Sequence, residues 1–159
     1  MGFLWNSYIG KIIMTVLISM VPVIELRGAI PTAVAHGLNY WVAVVAAFVG
    51  NMIPVPFIIL FIKRIFAWMR RKSDKLDGIV THLEKRAESK SDKVQRNAFW
   101  GLFILVAIPL PGTGAWTGAL VAALLEMRLK RAVPAIAMGV AGAAAIVTAV
   151  TYITEKALF

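Results

Sequence analysis

Glu25 and Arg27 are the residues of this chain best placed to do chemistry. They carry opposite charges inside an apolar stretch, residues 21–31, that also holds Pro22, Gly28 and Pro31. A charge in a bilayer interior costs roughly 2.5–3.5 kcal/mol on insertion scales and by default marks a functional site. A guanidinium is always charged and grips oxygen atoms in pairs, which suits phosphate or carboxylate. Three roles are open to the acid: neutralising Arg27, carrying a proton coupled to transport, or binding a cationic substrate.

A second interruption follows at Pro109-Leu110-Pro111-Gly112-Thr113-Gly114, trailed by Trp116 and Thr117. Gly112 and Gly114 let backbone approach a ligand closely. Thr113, Thr117 and Trp116, with Asn51 upstream, supply hydroxyl, indole and amide contacts. Where a helix restarts after such a break, its first N–H groups lack intrahelical partners and carry the positive end of the dipole. Two such ends, near Glu25 and near Thr113, together with Arg27, favour an anion. The candidate substrate-binding set is therefore Glu25, Arg27, Asn51, Pro111, Gly112, Thr113, Gly114, Trp116 and Thr117, with Glu25 also the candidate proton-coupling group. The plainer alternatives are that the prolines only kink spanning helices, that Asn51 bonds a neighbouring helix, and that Trp116 is packing.

The elements that must position these residues follow from composition and charge. Of 159 residues, 60% are hydrophobic and 16% charged, where a soluble domain is about half apolar and a quarter charged. An all-α integral membrane protein of one domain, 1–159, is expected. There is no cysteine, and His36 and His82 match no metal-ligand spacing, so no metal or other cofactor and no enzymatic reaction is expected. Residues 63–96 hold eleven of the seventeen Lys and Arg and five of the eight acids. Such a segment reads as a cytoplasmic loop against anionic lipid headgroups, not as a nucleic-acid surface. With no charged run before its first apolar stretch, the N-terminus reads as retained and not as a signal peptide.

Residues 3–37 are apolar but broken at the middle; each arm of about 15 residues reaches some 22 Å, short of the roughly 30 Å hydrocarbon core. A re-entrant hairpin with its break at membrane depth is expected. The spacing places a turn at 36–39 with Asn39 as a helix cap, and then a span over 40–69 kinked at Pro54 and Pro56. A surface helix over 73–96 follows, capped by Ser73 or Asp74, either lying on the cytoplasmic leaflet by its apolar face or standing as a solvated linker. Residues 98–125 read as a second hairpin broken at 109–114, and 132–153 as a last span, with Pro134 at its start and close-packing Gly139 and Gly142. With 98–125 re-entrant, both basic clusters (63–96 and 128–131) fall on the cytoplasmic side and both termini outside, as the positive-inside rule asks. Two inverted repeats result, 3–71 and 97–155, each a re-entrant hairpin plus one kinked span, joined by the basic linker helix 72–96. Matching breaks in inverted repeats point to a transport site near the midplane. So small a domain cannot enclose a large pathway alone, and a homodimer is expected.

The run 25–31 (Glu-Leu-Arg-Gly-Ala-Ile-Pro), the following Gly37, and the later run 109–118 resemble the small multidrug export protein family. The resemblance covers nearly the whole chain. That family is in turn distantly similar to the DedA membrane proteins, which share two re-entrant hairpins in inverted repeats and are implicated in moving polyprenyl-phosphate carriers. The DedA resemblance puts Glu25 and Arg27 in the first-hairpin site and Pro111, Gly112 and Thr113 in the second. This chain departs from DedA in having no arginine in its second hairpin. The function expected is secondary, proton-coupled transport or flipping of a small or lipid-linked anion, such as a polyprenyl phosphate, in the inner membrane. The alternatives are proton-coupled export of cationic drugs and a non-transporting membrane assembly factor.

Overall fold

A computed structural model describes residues 4–88, 91–110 and 113–158. Among them there are helices and no strand. After a short 3-10 turn, Leu4–Asn6, helix α1 (Tyr8–Met20) starts at Ser7, whose Oγ accepts the Gly10 N–H at 3.0 Å. Residues 21–24 break the helix: Pro22 has no N–H to continue it, and Val23 takes a positive φ of 77°. Helix α2 (Glu25–Ala35) follows and runs through Pro31. Pro31 does not interrupt it, since one proline forfeits only its own bond to the Arg27 carbonyl and the turns on either side hold. Gly37, with φ 78°, closes α2: its N–H reaches the Val34 carbonyl at 2.8 Å and the Leu38 N–H reaches that of Ala33 at 3.0 Å.

Asn39 caps α3 (Tyr40–Met52) through a 2.9 Å bond to the Trp41 N–H. Only Ile53 separates α3 from α4 (Pro54–Lys72), whose first residue is the proline that kinks the rod. Helix α5 (Asp74–Glu88) lies against α4 and α7. The surface helix expected over 73–96 is shorter than that: residues 91–96 already belong to α6 (Ser91–Ala107), because no Gly or Pro there stops a helix from extending past its apolar part. After the second break come α7 (Ala115–Leu124) and α8 (Leu129–Leu158).

Helix α1 packs on α2 and α3, α6 on α7 and α8, α2 on α8, and α7 on α4. Small residues set these distances. A Cβ on Gly139 would lie 2.6 Å from the Val106 Cβ and 2.9 Å from the Phe103 carbonyl, so α6 and α8 touch backbone to side chain. The buried core is correspondingly rich in alanine (Ala29, Ala47, Ala119, Ala135, Ala143) around Ile30, Val55, Val106 and Ile136.

Two helices are long and apolar enough to cross a membrane, Tyr40–Ile62 and Leu129–Ala157. Only 39% and 33% of their most apolar windows are buried inside the chain, unlike the core helix of a soluble domain. Their outer faces carry Val45, Val49, Phe57 and Leu60, and Met138 and Ile153, an apolar exterior that needs lipid or protein around it. The Tyr40 hydroxyl donates to Glu155 Oε2, and Trp5 stacks on His36 at 3.9 Å between centroids. The chain start, the end of α2, the start of α3 and the end of α8 therefore share one end of the bundle. The basic residues that close α4 (Arg70, Arg71, Lys72) and open α8 (Arg128, Lys130, Arg131) lie at the other.

Candidate functional site

The two helix breaks meet inside the bundle, and four side chains join them. Gly114 sits before α7 with φ 133° and ψ −169°, a conformation open to glycine and strained for any L side chain. The bare Cα that results lies against the Glu25 carboxyl group, where a Cβ would fall 2.6 Å from the carboxyl carbon. Glu25 is 3% exposed, and its Oε1 accepts the Trp116 N–H at 3.3 Å. The carboxylate of the first break thus caps the amide end of the helix that leaves the second, where a negative charge gains roughly 0.3–1 kcal/mol and up to about 2 kcal/mol when partly buried.

Arg27 does the converse. Its Nη1 donates to the Leu110 carbonyl, and its Nη2 donates to the Thr113 carbonyl and Oγ1, both at 2.9 Å, and to the Ile108 carbonyl at 3.5 Å. The Thr113 hydroxyl accepts the Leu110 N–H at 3.2 Å and lies 2.7 Å from the Ile108 carbonyl and 2.8 Å from that of Leu110, either of which its proton can satisfy. Trp116 Nε1 donates to the Met20 carbonyl at the end of α1, at 3.2 Å. The carbonyls freed where α1 and α6 end are held by side chains of the opposite break. Glu25 and Arg27 each have their own partners, and among the described residues they form no ion pair with each other.

Asn51 is fully buried one residue before the end of α3. Its amide lies beside the Glu25 carboxyl group, yet neither Oδ1 nor Nδ2 meets a hydrogen-bond partner among the described residues. Of the expected set, then, Glu25, Asn51, Gly114 and Trp116 gather at the start of α7, and Arg27 and Thr113 gather just beside it. Thr117 is half-buried on the first turn of α7, and Pro111 and Gly112 lie outside the described residues.

A cavity of about 760 Å³ opens between α2 and α8. Arg27 and Pro109 line one end of it; Pro31, Val34, Ile146, Val147 and Val150 form apolar walls; Thr151, Thr154 and Glu155 stand toward the end of α8. The Thr151 and Thr154 hydroxyls are bonded back to the Val147 and Val150 carbonyls, each at 2.8 Å, so the charged groups it presents are Arg27 and Glu155. Sequence reasoning missed the α8 wall. Its one signal is the pair Thr151 and Glu155, four residues apart on one face of an otherwise apolar helix. Among the described residues no group of three or more His, Asp or Glu could hold a metal ion.

A model of the small multi-drug export protein family, whose description gives export as a provisional assignment, matches residues 25–146. The match opens on Glu25, directly after the first break, and contains the second. No curated protein and no solved structure matches the chain.

Proposed function

From the premise that the chain belongs to the small multi-drug export protein family, we propose that it moves an amphipathic anion, with a phosphate- or carboxylate-type headgroup, across the membrane. The observation that carries this reading is the cavity of about 760 Å³ whose apolar walls end on Arg27. An apolar tail lies along Val34, Val147 and Val150 while the headgroup meets the guanidinium, exchanging with the carbonyls of Leu110 and Thr113. Glu25 is the acid available for proton coupling, next to the site but not in the wall of the groove.

Transport reads most simply on two inverted repeats. The hairpin arms α1, α2 and α7 have 13, 11 and 10 residues, or about 20, 17 and 15 Å, too short to cross the roughly 30 Å core. The packing also crosses between halves, α7 lying mainly on α4 and α2 on α8 as well as on its own half's α3. In this reading the bundle end bearing Arg70, Arg71, Lys72 and Arg128 is cytoplasmic, and the chain sits in the inner membrane with both termini outside. A second reading, export of a cationic drug, rests on the family description and on Glu155 in the groove.

Proteoliposomes separate the two. A lipid with a phosphate headgroup, its neutral alcohol counterpart and a cationic dye are offered in parallel. Protein-dependent movement of the phosphate-headed lipid alone is expected. Movement of the dye alone would favour drug export, and movement of none would leave a non-transporting assembly role.

A further inference from the structure

We propose that the amide end of α7 is itself an anion-binding position, that Glu25 occupies it as a tethered stand-in for the transported anion, and that Asn51 is where the acid docks once it carries a proton. The inference rests on the anion-transport reading and adds to it how proton and anion are coupled.

The position is built for an anion. The Trp116 N–H points at a carboxylate oxygen, and Gly114 offers no side chain in front of it. An incoming headgroup meets the same donors only if Glu25 leaves. A carboxylate gains from the helix dipole and a charge-assisted hydrogen bond, and the neutral acid gains much less of either. Protonation therefore loosens Glu25 from the position that the anion needs.

Asn51 supplies the alternative. Its carboxamide is fully buried beside Glu25 with both polar atoms unpartnered among the described residues, and an unmet buried donor or acceptor costs about 1–3 kcal/mol. A carboxylate, which only accepts, can satisfy Nδ2 and leaves Oδ1 bare. A carboxylic acid presents one O–H donor and one carbonyl acceptor, the complement of an amide, and satisfies both. Ionised Glu25 thus favours the Nδ2 side of Asn51 alone, and the cost on Oδ1 is relieved only with Glu25 protonated.

No other charged group intervenes among the described residues. Arg27, on the same helix, is held by the carbonyls of 108–113. On α1, Lys11 lies by Gly37 at the far end of α2. Tyr40 of α3 and Glu155 of α8 pair at that same end, with Lys156 over Tyr152, while Lys130 and Arg131 open α8 at the opposite end, and α7 has no ionisable residue. One proton and one anionic charge load together.

The test uses purified protein and dodecyl phosphate, with binding followed by calorimetry in buffers of different ionisation enthalpy so that protons are counted. Wild type is expected to take up about one proton at Glu25 per ligand bound, above any proton that the phosphate itself takes up, as judged by titrating the free ligand. Its affinity falls by about tenfold per pH unit once Glu25 is ionised, the slope of one linked proton. Glu25→Gln, neutral and able to pair with Asn51, should bind with no protein proton uptake; Asn51→Leu should bind about tenfold more weakly at a given pH. Binding by wild type with no such uptake, or an unchanged affinity in Asn51→Leu, would overturn the switch and leave the anion-transport reading standing. No binding of dodecyl phosphate at any pH would overturn both. Should Glu25→Gln fail to fold, the wild-type proton count decides alone.

Discussion

Gly114→Ala is expected to lower stability more than any other single methyl addition at the two breaks. The residue stands at φ 133°, where a side chain costs on the order of 1–3 kcal/mol in backbone strain. The added carbon would also enter the space of the Glu25 carboxyl group, and overpacking costs a further 1–3 kcal/mol or so. Gly37 isolates the first effect, because it too has a positive φ, 78°, but an added Cβ would meet nothing nearer than the Lys11 Nζ at 3.7 Å. In detergent, the thermal midpoint of Gly114→Ala should fall clearly below that of Gly37→Ala. Equal shifts would mean that Glu25 does not press on the start of α7. Anion transport should be lost with Gly114→Ala and kept with Gly37→Ala, since only the first puts a side chain in front of the Trp116 N–H.

Arg27→Ala carries the second large effect. It leaves the part-buried Thr113 carbonyl without its donor, at a cost of about 1–3 kcal/mol for an unsatisfied group, and unties α2 from the Leu110 carbonyl, which keeps only the Thr113 N–H and hydroxyl. Both folding yield and transport of a phosphate-headed lipid should collapse. Arg27→Lys keeps the charge but loses the planar fork that holds two carbonyls at once, so the variant should fold with transport reduced at least about tenfold. If Arg27→Lys transports as wild type, charge alone suffices and paired recognition of the headgroup is wrong. If Arg27→Ala transports as wild type, the guanidinium belongs to the scaffold only.

The meeting of the two breaks was legible because prolines and glycines interrupt two apolar runs, and in each the interruption comes where a polar residue can serve freed backbone groups. The caps at Ser7 and Asn39 and the kink at Pro54 were open to the same local reasoning, although Ser7 was not singled out. Of the three roles open to Glu25, neutralising Arg27 is the one its spacing disfavours. Residues i and i+2 on a helix lie about 200° apart, so Glu25 and Arg27 at the start of α2 cannot easily face each other. One turns to the amides of α7 and the other to the carbonyls of 108–113. The amide end of α7, taken from sequence as vacant for substrate, is filled by the chain's own acid, a long-range contact between positions 25 and 116 that no local pattern encodes. The groove wall on α8 was hidden similarly, because Val147 and Val150 look the same facing lipid or facing a cavity.

The central claim is that the groove between α2 and α8 receives an anionic amphiphile with its headgroup at Arg27. The chain has no cysteine, so Val34→Cys and Val147→Cys place unique thiols on opposite walls of that groove. The most direct measurement is the rate of maleimide labelling of each thiol in membranes, with dodecyl phosphate, with dodecanol and with neither. Protection of both thiols by dodecyl phosphate and not by dodecanol is the result predicted here; equal labelling under all three conditions would contradict it.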